Sequence, residues 1–143
     1  SGTKFTIGTG FEPEAINMVL EIERLEAKID AGADYVMTQP VFDTSAMSAI
    51  ERFRDSIAVL PGVMVLRSKA HAERIAHVPG VNLPRSVIES FSKYNSKDDQ
   101  AKVGLDLAVE QAHSYRSEGW AGIYLMSPAS LGAAKQVLKT LAE

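Results

Sequence analysis

The chain has 143 residues, 45% of them hydrophobic and 23% charged, a composition typical of one globular domain. Its formal net charge of -3 and pI of about 5.6 give no basic surface, so we expect no nucleic-acid partner. The absence of cysteine excludes disulfides and thiolate catalysis, and there is no apolar run long enough to span a bilayer, so we expect a cytoplasmic protein with no membrane segment.

The first half of the chain alternates between strand and helix signals. We predict a strand over residues 4–8, a helix over 14–31 and a second strand over 35–39. A second helix is predicted from Thr44 or Ser45, with Pro61-Gly62 ending it. Its apolar stripe consists of residues at helical spacing, namely Met47, Ile50, Phe53 and Ile57.

The second half continues the alternation. A uniformly apolar strand is predicted over 63–66, two short helices within 69–94, and a long helix from residue 95 or 96 to about 118. A strand over 122–126 and a helix over 130–142 complete the chain. Because strands and helices alternate, we expect a parallel sheet.

The number of strands restricts the architecture. A flavodoxin-like sheet normally has five strands, and a complete (β/α)8 barrel has about 250 residues. We therefore predict an α/β fold whose parallel βα units form half of a TIM (β/α)8 barrel over residues 3–143, with Ser1-Gly2 as a cloning remnant. Such a half leaves its apolar inner face uncovered. We expect the chain to pair with another copy, to dock on missing sequence, or to be a fragment.

Few residues carry an obvious chemical motif. The three histidines, His71, His77 and His113, stand apart with no metal-ligand spacing, and Gly8-Thr9-Gly10 lacks the third glycine of a dinucleotide loop. Ligands of parallel α/β folds bind beyond the carboxyl ends of the strands. Gln39 stands at such an end, and its amide could read the donor-acceptor edge of a pterin, flavin or nucleobase. It could equally cap a neighbouring loop.

Several stretches together resemble a known family. They are 4-KFTIGTGFEPEA-15, 23-ERLEAKIDAGADYVMTQPVFD-43, 62-GVMVLRSKAHAERI-75 with 78-VPGV-81, and 119-GWAGIYLMSP-128. They look like the C-terminal half of methylenetetrahydrofolate reductase, and most of all like the reductase part of proteins that join it to a homocysteine S-methyltransferase. The family is a flavin-bearing TIM barrel. This chain would supply strands five to eight.

The resemblance implies roles for particular residues. Gln39 matches the glutamine that binds the folate pterin, and Lys28 matches a lysine near FAD, where a cation suits the pyrophosphate. Ala15 matches a position in the FAD site, and Glu21 keeps the acidic character of another. Glu12 stands where a histidine contacts the cofactor.

Other positions depart from the family pattern. An aromatic FAD contact of some members is Gly8, and an arginine beside the lysine is Ala27. On the folate side, a Gln or Asn position is His71, an arginine of some members is Ser130, and an aromatic is Ile75. We retain His71 and Ser130 as candidate substrate-binding residues.

The family reduces methylenetetrahydrofolate to methyltetrahydrofolate with NADH or NADPH and FAD. Its general-acid glutamate and flavin-tuning aspartate lie in the first half of the barrel, so the resemblance implies a chain that is inactive without an N-terminal half or another copy. One alternative is a non-catalytic folate-binding or assembly domain that has lost flavin chemistry. Another is a structural half barrel that dimerises through its open core.

Overall fold

A computed structural model describes residues 4–128 and 130–143. Its four strands are β1 (Gly8–Phe11), β2 (Tyr35–Pro40), β3 (Ala58–Met64) and β4 (Tyr124–Met126). Its five α-helices are α1 (Met18–Asp30), α2 (Lys69–Ile75), α3 (Arg85–Phe91), α4 (Lys97–Ser117) and α5 (Leu131–Ala142). None of the described helices is long and apolar enough to cross a membrane.

The strands form one parallel sheet in the order β1-β2-β3-β4, which confirms the predicted parallel α/β fold. Successive side chains of a strand point to opposite faces, and in β2 burial alternates accordingly. Val36 and Thr38 are buried, whereas Tyr35 and Met37 are half-buried and Gln39 is exposed. The sheet therefore has one covered face and one open face.

Helices pack on the covered face and form the main core. Leu25 of α1, Ala112 and Tyr115 of α4, and Val137 of α5 are fully buried against Val36 and its neighbours on that face. The open face has a different set of residues. Paired by strand register, they are Gly8, Gly10, Tyr35, Met37, Leu60, Met64, Tyr124 and Met126. Among these described residues, Met64 packs against the cluster around Leu66 and Phe91, whereas Tyr35, Met37 and Leu60 belong to neither hydrophobic cluster.

Three predicted elements were wrong in type or bounds. The first strand, predicted over residues 4–8, is Gly8–Phe11. The segment predicted as a helix from residue 44 forms two short 3-10 helices, Thr44–Ala49 and Glu51–Phe53. Its stripe of apolar residues is nevertheless buried in the main core, because 3-10 turns bring positions three apart to one side. Pro61-Gly62 was predicted to break this helix but lies inside β3, which begins at Ala58 rather than Val63.

A β-bulge lies where β2 meets Pro61-Gly62 of β3, with the register shifting between Met37 and Pro40. Gly62 N and O both face β2, so the nitrogen of Pro61 faces the side of β4. Because pairing with β4 begins only at Gly62, the missing N–H of Pro61 leaves no gap in the ladder. The Thr38 hydroxyl bridges the irregularity, accepting from Gly62 N (2.8 Å) and donating to Gln39 O (2.8 Å). Only glycine fits at position 62, because a Cβ there would lie 2.7 Å from the backbone oxygens of Thr38 and Gln39.

A second close approach joins α4 to the end of β3. A Cβ added to Gly104 would lie 1.7 Å from Leu66 O, a backbone atom that cannot rotate away. We expect Gly104→Ala to lower the free energy of unfolding by about 1–3 kcal/mol or more, because α4 must move off the sheet. Urea denaturation would measure the loss.

Gly132→Ala in α5 is the matched control. Its added Cβ would meet Ser130 Oγ at an ordinary 3.5 Å, so helix propensity should leave stability unchanged or raise it by up to about 1 kcal/mol. Equal stability changes in both variants would contradict the contact between α4 and Leu66.

Candidate functional site

Gln39 is exposed at the carboxyl end of β2, on the side of the open face. Its backbone carbonyl is held by the Thr38 hydroxyl, which also accepts from Gly62 N on β3. The Gln39 side chain makes no hydrogen bond with any residue in the described parts of the chain, so its donors and acceptor remain open to a ligand. The backbone is therefore positioned by the bulge, and the amide is not used to cap a loop.

Tyr35 is a residue of the open face that the sequence analysis did not single out. A Cβ at Gly8 would lie 2.4–2.6 Å from three atoms of the Tyr35 side chain, so the phenol occupies the space beside this glycine. An aromatic ring therefore lies beside Gly8, the position where some family members have an aromatic residue. Gly8 and Tyr35 are side by side because they are partners in the register of β1 and β2. The sequence alone does not reveal which strands pair, so it could not have identified Tyr35.

His71 lies in the first turn of α2, immediately beyond β3, and is only 6% exposed. Its Nδ1 accepts a hydrogen bond from Arg67 N (3.2 Å), which places the proton of the neutral ring on Nε2. Burial lowers the pKa of His71, and the nearby positive charges of Arg67 and Arg74 lower it further. The residue can therefore offer a neutral Nε2–H donor.

The lowered pKa of His71 predicts a pH dependence of stability. The unfolded chain takes up a proton near the usual pKa of 6.5, while the folded chain stays neutral to lower pH. The contribution of His71 is therefore complete above pH 6.5 and is lost as the pH falls through the lowered pKa. We expect at most about 1.4 kcal/mol per pH unit from this one group.

Urea denaturation between pH 7 and the acid limb would reveal this slope, and His71→Gln should reduce it. His113→Gln serves as the matched control. An acid limb unchanged by His71→Gln would contradict a neutral buried histidine.

Ser130 is the N-cap of α5. Its hydroxyl accepts from Ala133 N (3.1 Å), and its carbonyl accepts from the Ser127 hydroxyl (2.7 Å). Gln39, His71 and Ser130 therefore follow or end three neighbouring parallel strands. Ser130 has a structural use in this position, and its role in binding a substrate stays a prediction.

The predicted cofactor residues gather around the end and outer edge of β1. Glu21 is buried, with 8% of its surface exposed, and its Oε1 accepts from Glu12 N (2.9 Å). Lys28 Nζ donates to Gly10 O (2.9 Å), and Ala15 N donates to Glu12 O (3.1 Å). The four residues that the family resemblance relates to the cofactor therefore lie together around β1.

The carboxylate of Glu12 is directed towards the turn before α3. A Cβ at Gly80 would lie 3.1 Å from Glu12 Oε2, and Glu14 Oε2 accepts from Asn82 N (3.1 Å). The acidic side chains of this segment therefore hold the turn over residues 78–82 against the end of β1.

Two of these side chains cap the free edge of the sheet. Ile7 O accepts from Asp34 N and so faces β2, and since carbonyls alternate along a strand, Gly10 O and Glu12 N face away from β2. Lys28 and Glu21, seven residues apart on α1, satisfy that carbonyl and that N–H. Such capping of an edge opposes pairing with another chain.

We expect Lys28→Ala to increase self-association, because it leaves the Gly10 carbonyl of the edge strand unpaired. Analytical ultracentrifugation over a concentration series would measure the change. Lys102→Ala, which removes only an exposed ion pair with Asp106, is the control. If both variants associate equally, Lys28 does not protect the edge.

No group of three or more His, Asp or Glu side chains in the described residues is arranged to hold a metal ion. The candidate site is therefore a set of polar side chains at the carboxyl ends of parallel strands. This is where α/β proteins bind organic ligands.

Comparison with known proteins identifies the family. A family model for methylenetetrahydrofolate reductase matches residues 5–142, and the chain belongs to that family. A probable methylenetetrahydrofolate reductase (NADPH) of Caenorhabditis elegans is 27% identical over 150 residues, covering 98% of this chain and 23% of that protein. The 5,10-methylenetetrahydrofolate reductase of Escherichia coli is 26% identical over 115 residues, covering 75% of this chain and 38% of that protein. The chain thus spans well under half of these relatives.

A solved structure has the same fold. It is an uncharacterised protein from Clostridium thermocellum that binds two copies of 5-methyl-5,6,7,8-tetrahydrofolic acid. Its TM-score is 0.63 at 15% identity, and the match covers 95% of this chain and 52% of that one. The likeness concerns the fold alone.

The residues around β1 can be compared with the needs of FAD. Its diphosphate requires positive charge, whereas this place has the carboxylates of Glu12 and Glu21. The ammonium of Lys28 is engaged by Gly10 O. In this arrangement the four residues do not fit the FAD diphosphate, and FAD binding by this chain stays a prediction.

Proposed function

We propose that the chain is the C-terminal half of a methylenetetrahydrofolate reductase barrel, strands five to eight, and that its contribution is the wall that binds the folate pterin. Family membership and four parallel βα units support the position in the barrel. The observation that carries the binding role is Gln39, whose unengaged amide stands at a strand end beside the open face.

The pterin ring has a mixed edge of donors and acceptors, and a primary amide can pair with both kinds of group. Tyr35 and Met37 provide apolar surface on the same face as Gln39. The ring of a folate would lie over this surface with its edge at Gln39, and the neutral His71 could add a donor.

Gln39→Ala should weaken binding of 5-methyltetrahydrofolate by about 1–3 kcal/mol, the usual value of a desolvated hydrogen bond. Isothermal titration calorimetry would measure the change. Gln136→Ala on the exposed surface of α5 is the matched control. Equal affinities of wild type and Gln39→Ala would remove Gln39 from the pterin site.

Reduction of methylenetetrahydrofolate with a nicotinamide cofactor belongs, in this proposal, to the complete barrel. The open face would be covered by the N-terminal half or by a second copy. We assign no catalytic step to this chain, because a general acid for the substrate amine would come from the other half.

A second candidate function is folate binding without flavin. The carboxylates of Glu12 and Glu21 at the end of β1 favour it, because they oppose a diphosphate. Titration of the chain with FAD, followed by flavin fluorescence, separates the two. Saturable quenching supports the flavin-dependent reductase. Folate binding without quenching supports the flavin-free protein.

A further inference from the structure

A cleft of about 470 Å³ lies beside α4, and Gln39 is not among the residues that line it. Its walls are the segment after β2, the beginning of α3 and one side of α4. Its volume is within the range of small-molecule sites. Met64, Leu66, Val87 and Leu107 supply an apolar floor.

Two carboxylates, those of Asp43 and Glu110, are among the polar groups of this cleft. Gln111 Nε2 donates one of its two N–H groups to Val41 O. Asp43 Oδ1 accepts from Ser45 N (3.0 Å), and Glu110 makes no hydrogen bond or ion pair with the described residues. The carboxylates of Asp43 and Glu110 can accept hydrogen bonds and cannot donate them, whereas the amide of Gln111 can do both.

The charge of the cleft has one sign. Asp43 and Glu110 line it, and none of the lining residues is lysine, arginine or histidine. Hydrogen bonds from Ser45 lower the pKa of Asp43, so this carboxylate is ionised at neutral pH. The serine and threonine hydroxyls of the lining can adapt to either partner.

We propose that this cleft binds a small organic cation, an ammonium or guanidinium group on an apolar body. The cationic head lies between the carboxylates of Asp43 and Glu110 and the carbonyl oxygen of Gln111. The apolar body covers Leu66 and Leu107. An anion of the same shape meets two negative charges and no positively charged side chain of the lining, so the cleft selects by charge as well as by shape.

The test uses 2-phenylethylamine, protonated at pH 7, and 3-phenylpropanoate, which has the same apolar body and a carboxylate head. Titration of the ¹⁵N-labelled chain would be followed by two-dimensional NMR. We expect saturable shifts of the amides of residues 43–45, 86–87 and 107–111 with the amine, and affinity at least roughly three-fold lower for the carboxylate.

The double variant Asp43→Asn, Glu110→Gln should weaken amine binding by roughly three- to ten-fold, since each exposed pair contributes modestly. Asp55→Asn, an exposed acid outside the cleft lining, should bind like wild type. Gln39→Ala should also leave amine binding unchanged, which separates this site from the proposed folate site.

Two results would overturn the proposal. One is equal binding of amine and carboxylate, which would make the cleft an apolar groove without charge preference. The other is the absence of saturable shifts up to millimolar amine in a chain whose spectrum shows that it is folded.

Discussion

Four parallel strands cannot close on themselves, and this constraint organises the whole molecule. With helices on one face, the other face keeps Tyr35, Met37 and Leu60 outside the hydrophobic clusters of the described residues. The outer edge of β1 has polar backbone groups with no strand beside them. Lys28 and Glu21 supply partners for two of those groups from α1. The hydrogen-bonding groups of the open edge are thus satisfied by Lys28 and Glu21, two residues that the family resemblance placed near the cofactor.

The same constraint creates the candidate site. Because the strands are parallel, their carboxyl ends meet at one rim, where Gln39, His71 and Ser130 follow one another across the sheet. The bulge between β2 and β3 positions Gln39. It requires Gly62, which leaves room for the backbone of residues 38 and 39, and Thr38, whose hydroxyl links the two strands. A binding residue at the surface therefore depends on a close contact inside the sheet.

Burial separates roles among the polar residues. His71 is neutral because it is buried and flanked by arginines, so it can give a hydrogen bond without bringing charge. Tyr115 is fully buried on the covered face, and its pKa is raised chiefly by burial. Its position in the main core suits packing, whereas the exposed amide of Gln39 suits recognition.

The sequence by itself determined the parallel α/β order, the family and the placement of Gln39 at a strand end, because local periodicity and a contiguous motif record these features. It did not determine that residues 44–53 form 3-10 helices or that Pro61-Gly62 lies within β3, since both depend on contacts with other strands. Only the tertiary structure decided that Tyr35 fills the space beside Gly8, that Lys28 bonds to Gly10 and that Asp43 and Glu110 share a cleft. These contacts join residues far apart in the chain, and the packing of strands and helices brings them together.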